Sequence, residues 1–179
     1  MIKKWITKTN ESLGSFLIFR LFKENVISPK DQKEHKVIIL DTYNWVNIIP
    51  LTENNEVVMV KQFRHGTKEV TLEIPGGACD LTDENPKHSA TRELEEETGF
   101  VSSEVVELGW VHPNPAFQTN KCFMFLAKNC KLEKQQNLDI GEDIEVVKIP
   151  ISEIPDLIRN KTITHSLVIA AFHFLNLNS

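Results

Sequence analysis

Residues 73–100 read EIPGGACDLTDENPKHSATRELEEETGF, and the rest of the chain is interpreted around them. Asn85-Pro86 predicts a helix start. An Asn side chain accepts a backbone N–H at the N-cap, and Pro at the first helical position gives up a donor that has no partner there anyway. Gly99 predicts the stop, where a residue of positive φ is commonly needed. At about 100° per residue, Ala90 and Leu94 share one line of this helix, while Glu93, Glu96 and Glu97 lie within an arc of roughly 100° on the other side. Glu93 and Glu97 are i,i+4 neighbours and Glu96 is at i+3, so the three carboxylates converge. Like charges at that spacing repel. A divalent cation reverses the sign: Mg²⁺ takes hard oxygen ligands and is usually held by one or two carboxylates plus substrate phosphates and water. Gly76 and Gly77 lack a Cβ and let backbone carbonyls come close. A solvated acidic helix is the plain alternative, in which Arg92 beside Glu93 is a weak surface ion pair.

The whole chain has 179 residues, enough for one domain with a sizeable core. It is 41% hydrophobic and 25% charged, an ordinary globular composition, with a formal net charge of -5. No basic stripe is present, which argues against a nucleic-acid backbone as the main partner. Cys79, Cys122 and Cys130 form no CxxC pair and read as free thiols in a reducing, cytoplasmic setting. The opening MIKKWITKTN has lysines but no long apolar run behind it, so neither a signal peptide nor a membrane span is expected.

Outward from the central stretch, residues 1–14 are polar and read as a loose arm or short helix. Strands are expected at 16–22, 37–40, 46–51, 57–63, 70–74, 105–111, 122–127 and 144–149. Turns fall at 26–33 and 41–44, and Glu53-Asn54-Asn55-Glu56 marks a hairpin. Residues 112–120 form a Pro-containing loop and 129–141 a polar one. Ser152 is placed to cap a short helix through Ile158, and Thr164 a final one through Leu175. Seven to nine strands clustered on both sides of one helix make this α+β rather than a doubly wound sheet.

The central segment resembles the Nudix box, G-x5-E-x7-R-E-U-x-E-E-x-G-U with U apolar. Glu84, Arg92, Glu93, Leu94, Glu96, Glu97, Gly99 and Phe100 all fall in place. With each residue type at roughly 5–7% of usage, a chance match is on the order of one in 10⁸, which sets the plain acidic helix aside. One departure stands out: six residues separate Gly77 from Glu84, so Ala78 holds the strict glycine position, as after a one-residue loop insertion.

The resemblance covers roughly residues 47–174. It implies a Nudix α/β/α sandwich around a mixed sheet, with residues 1–45 as an N-terminal strand extension and 46–179 as the hydrolase domain. It implies Mg²⁺-dependent hydrolysis, with Mn²⁺ as a substitute, of a nucleoside diphosphate linked to another moiety. ADP-ribose, split to AMP and ribose 5-phosphate, leads the candidates. Nucleotide sugars, dinucleoside polyphosphates and nucleoside triphosphates follow, and a non-catalytic nucleotide sensor is the reading from another class.

In this reading Glu93 and Glu97 ligate metal, the Gly76 or Gly77 carbonyl completes the site, and Glu96 binds directly or through water. Arg92 orients a box carboxylate, and Glu84 is structural or supports a metal ligand from behind. Of the acids in the distant loop (Asp139, Glu142, Asp143, Glu145), Glu142 is favoured as metal ligand or base. Arg64 would contact a phosphate bidentately, Glu73 a substrate hydroxyl or a backbone group, and Pro115 marks the ADP-ribose branch. Tyr43, Trp45 and Phe117 are candidates to stack an adenine. The first strands, with Phe16, Leu17, Phe19 and Leu21, are expected to build a homodimer.

Overall fold

The structure, a computed structural model, describes residues 1–178. The chain divides into two compact units. One comprises Met1–Tyr43 with His112–Lys121, the other Asn44–Val111 with the chain from Cys122 on.

The second unit carries the long central sheet. Its strands are β4 (Trp45–Thr52), β5 (Glu56–Arg64), β6 (Glu69–Glu73), β7 (Gly76–Ala78), β8 (Phe100–Val101), β9 (Glu104–Val111), β10 (Cys122–Leu132) and β11 (Ile144–Pro150). The order is β11-β5-β4-β10-β8, with β6 on β5, β7 on β4 and β9 on β10. β10 runs parallel to β4, from Cys122 opposite Trp45 to Ala127 opposite Pro50, and the other pairs are antiparallel, so the sheet is mixed.

Successive side chains of a strand face opposite sides, and here both sides are covered. Val46, Ile48, Val58, Phe125 and Ala127 pack with Ala90 and Leu94 of helix α1 (Pro86–Thr98). Ile49, Val57, Met59, Cys122, Met124 and Leu126 pack on the other face with Ile154 of α2 (Ile154–Arg159) and with Leu167, Val168 and Phe172 of α3 (Ser166–Leu177). Near-continuous apolar runs in β4, β5 and β10 are the sequence trace of a sheet buried on both faces. The result is the expected α+β sandwich. Among the described residues no helix is long and apolar enough to cross a membrane.

The first unit is an antiparallel meander of β1 (Ile6–Ser15), β2 (Phe19–Ile27) and β3 (Glu34–Thr42). The segment 112–121 joins it: the Leu40 N–H donates to the Phe117 carbonyl at 2.8 Å and the Thr119 hydroxyl to Asp41 Oδ1 at 2.8 Å.

Four sequence expectations need correction. Residues 6–15 form a strand, not a loose arm or helix. The strand is exposed along almost its whole length, so it shows no apolar alternation to read. Among the described residues there are eleven strands rather than seven to nine, two of them only two or three residues long. β10 continues to Leu132 past a bulge, where Asn129 takes a φ of 53°. Neither Ser152 nor Thr164 caps a helix: a 3₁₀ turn at Ile151–Glu153 leads into α2, and His165 occupies the N-cap of α3 with no side-chain hydrogen bond.

Candidate active site

Helix α1 begins and ends as its termini predict. The Asn85 side chain accepts the His88 N–H at 3.0 Å, and Gly99 closes the helix at φ 73°, its N–H donating to the Glu95 carbonyl. The helix presents its acidic face to the β7 loop. The Gly76 N–H donates to Glu97 Oε2 at 3.2 Å. Gly76 is required for space, since a Cβ there would lie 2.2 Å from the Val46 carbonyl oxygen, while a Cβ on Gly77 would lie 2.5 Å from Glu93 Oε1 and displace that side chain.

Glu97 is 3% exposed, and its carboxyl is pushed up to about 8 by burial first, then by the Glu93 charge. Glu93 is pushed up to about 7, again chiefly by burial; its neighbour Glu96 adds to the rise and Arg92 opposes it. The charge of Glu142 raises both. Glu142 itself is exposed on the loop before β11, where its carboxylate accepts the Asp139 N–H at 3.0 Å.

Arg92 is the hub of the opposite edge. Its guanidinium contacts Glu96 at 2.8 Å, Glu93 at 3.0 Å, Asp83 at 3.2 Å and the Ala78 carbonyl at 3.3 Å. Asp83 was not singled out from the sequence, and it is the acid of the loop that reaches Arg92. Its side chain is 5% exposed, and it also accepts the Asp80 N–H and meets His88 Nδ1 at 2.8 Å. Burial alone would raise its pKa; the Ser89 hydroxyl and the Arg92 guanidinium outweigh that and hold it well below the usual carboxylate range. Glu84, which the box spacing selects, is exposed. The inserted residue thus lets the acid one position earlier turn inward.

Arg64 and Glu73 form a bidentate pair. Arg64 Nε donates to Glu73 Oε1 at 2.9 Å and Nη2 to Oε2 at 2.7 Å, while the Thr71 hydroxyl donates to Oε1 at 2.6 Å. Burial would raise Glu73, but the Arg64 fork and Thr71 together hold it below its ordinary value. A cavity of about 520 Å³ runs from this pair to Gly76 and Gly77. Pro115 is exposed in the 112–121 segment of the other unit, as is Phe117, and Tyr43 also belongs to that unit.

The donor set fits a hard divalent cation. Glu97 is buried and Glu93 half-buried, and burial together with neighbouring negative charge raises both carboxyls; a positive ion beside them would favour their ionised forms. Among the described residues no three His, Cys, Asp or Glu side chains are gathered closely enough to hold a metal by themselves.

Comparison with known proteins agrees with this geometry. The chain is 27% identical over 172 residues to an ADP-ribose pyrophosphatase of Bacillus subtilis, covering 96% of this chain and 92% of that one. It is 29% identical over 172 residues to a methanol dehydrogenase activator of Bacillus methanolicus, with the same coverage. A crystal structure of an ADP compounds hydrolase superposes with a TM-score of 0.87 at 18% identity, covering 98% of this chain and 94% of that one, which establishes likeness of fold. The NUDIX domain family matches residues 44–172, a span that holds each acidic residue of the α1 face and its loops. The chain therefore belongs to the NUDIX domain family.

Proposed function

We propose that the protein hydrolyses the diphosphate of ADP-ribose, giving AMP and ribose 5-phosphate, with Mg²⁺ as the cofactor. The observation that carries this is the pair of carboxylates with raised pKa, buried Glu97 and half-buried Glu93, set against the Gly76-Gly77 loop. The name of the B. subtilis relative, matched over 96% of this chain, supports the choice of substrate.

Glu93, Glu97 and the Gly76 carbonyl would hold the cation, which when bound neutralises phosphate charge and makes a coordinated water more acidic. The chain's own groups do the rest. Arg92 fixes Glu96 and Glu93 from one side and is itself fixed by Asp83. Glu96 completes the acidic face. Glu142 takes the proton of the attacking water. The water oxygen bonds to one phosphorus, and the bridging oxygen leaves on the other phosphate. Arg64, held in its fork by Glu73, is the group that meets substrate phosphate or the sugar beside it.

The test is a product analysis with purified protein, Mg²⁺ and a panel of ADP-ribose, ADP-glucose, diadenosine polyphosphate and nucleoside triphosphates. AMP from ADP-ribose in preference to the others is the expected result. Preference for another compound moves the substrate, and tight binding without turnover under Mg²⁺ or Mn²⁺ refutes the catalytic reading.

A further inference from the structure

The cavity beside the glycine loop has walls that the phosphate chemistry does not use. Its charged lining residues are Arg64 and Glu73, and these neutralise each other at 2.7 Å. Among the remaining polar groups two are left unsatisfied: Asn47 Nδ2 and His165 Nδ1 are buried and have no hydrogen-bond partner. Buried polar nitrogens are rarely left so. Both residues line this cavity, with Thr164 next to His165 in sequence and the half-buried indole of Trp45 two positions before Asn47 on β4. Asn47 also lies over the glycine loop: its Oδ1 is 2.5 Å from where a Gly76 Cβ would stand. His165 Nε2 lies 4.0 Å from Glu73 Oε2. Rotation about χ2, a broad torsion in both Asn and His, is enough to offer either polar face to the cavity.

We infer that Asn47, Thr164 and His165 form a subsite for the neutral, hydroxyl-bearing ring joined to the diphosphate, and so select among sugars. This rests on the pyrophosphatase reading above and adds what the second half of the substrate is. The guanidinium of the lining, Arg64, is held by Glu73 and serves the diphosphate, which leaves Asn47, Thr164 and His165 for an uncharged group. A nucleobase edge calls for a fixed pattern of donors and acceptors. An amide, a hydroxyl and an imidazole can each donate and accept, which matches ring hydroxyls that do both. Burial lowers the imidazole pKa, ahead of the opposing pull of Glu73, which favours the neutral ring with one donor and one acceptor nitrogen. Trp45 supplies an apolar face for the ring C–H groups. At about 520 Å³ the space is within the size range of small-molecule sites.

The experiment uses the full chain with Mg²⁺ and two substrate series. One keeps the ADP and varies the sugar (ribose, glucose, mannose); the other keeps glucose and varies the base. For His165→Ala and Asn47→Ala, KM for ADP-sugars is expected to rise roughly three- to tenfold, about one hydrogen bond each. kcat should stay within about threefold. The order of preference among sugars should change while the order among bases does not. A changed order among bases means the cavity holds the nucleobase, and unchanged selectivity means the residues are scaffold; either overturns the proposal. Circular dichroism confirms folding, and His165→Gln and Asn47→Ser replace any alanine variant that unfolds. If the wild-type protein splits nothing, the pyrophosphatase reading fails first. The subsite is then tested by ligand-observed NMR with ribose 5-phosphate. Binding weakened in His165→Ala sustains it, and equal or absent binding ends it.

Discussion

Glu97 and Asp83 are both nearly buried acids, and they differ in what surrounds them. Glu97 faces Glu93 and one backbone N–H, and its pKa rises; Asp83 faces a guanidinium, and its pKa falls. The first is an unmet demand for positive charge, the second a demand already met. Glu97→Gln keeps the acceptor for the Gly76 N–H and removes the charge. It should lower kcat by at least about 10², the scale of losing a key electrostatic group, with the circular dichroism spectrum unchanged; full activity would exclude Glu97 from the chemistry. Asp83→Asn should lower kcat roughly ten- to a hundredfold, because Arg92 loses an anchor and with it the placement of Glu93 and Glu96. Glu84→Gln should stay within about twofold, as expected of an exposed acid. Reversed effects would return the role to the position that the box spacing selects. Nothing in the sequence distinguishes Asp83 from Glu84, since the choice depends on which way a loop with one extra residue turns. Nor did it single out His165: a lone histidine before an apolar helix has no motif around it, and its signal is a buried nitrogen visible only in three dimensions.

Helix α1 was legible from end to end, because its signals are local: an Asn-Pro start, a Gly stop and an apolar line between them. β1 was not, because both its faces are solvated and only its pairing with β2 makes it a strand. The same helix carries a pH signature. Glu93 and Glu97 have an ordinary value of 4.5 and rise to about 7 and 8 in the folded chain. The folded state therefore holds their protons more tightly than the unfolded state does. Their contribution to stability is fully present below pH 4.5 and is lost as pH rises through 7 and 8. Metal-free protein in EDTA should accordingly lose stability from these two groups between pH 6 and pH 8.5. Mg²⁺ should raise the melting temperature more at pH 8.5, where both carboxylates are ionised, than at pH 6, where protons compete for them. An Mg²⁺ effect of equal size at both pH values would mean that these carboxylates do not hold the ion. Gly77→Ala tests the same element by space rather than charge. The added methyl meets the end of the Glu93 side chain, so activity should fall further than stability.

At the scale of the molecule, β4, β5 and β10 were readable as apolar runs and the mixed sheet followed from the family resemblance, whereas the grouping of residues 112–121 with the first three strands was not legible. That grouping depends on backbone bonds from Phe117 and Thr119 to Leu40, some seventy-seven positions away, and no local pattern encodes them. We propose that the N-terminal unit also makes the homodimer. Phe16, Leu17 and Ile18 form the turn between β1 and β2, and Leu17 is 96% exposed and Ile18 64%. Three adjacent large apolar side chains at a hairpin tip gain nothing in water, and about 800 Å² buried per protomer is the usual size of a stable interface. Sedimentation velocity should show a dimer for the wild-type chain, and Leu17→Glu combined with Ile18→Glu should shift it to monomer. The far-ultraviolet circular dichroism should not change, since neither side chain packs in a core. A wild-type monomer across micromolar concentrations would dismiss the dimer, and a dimer that survives both glutamates would place its interface on another face.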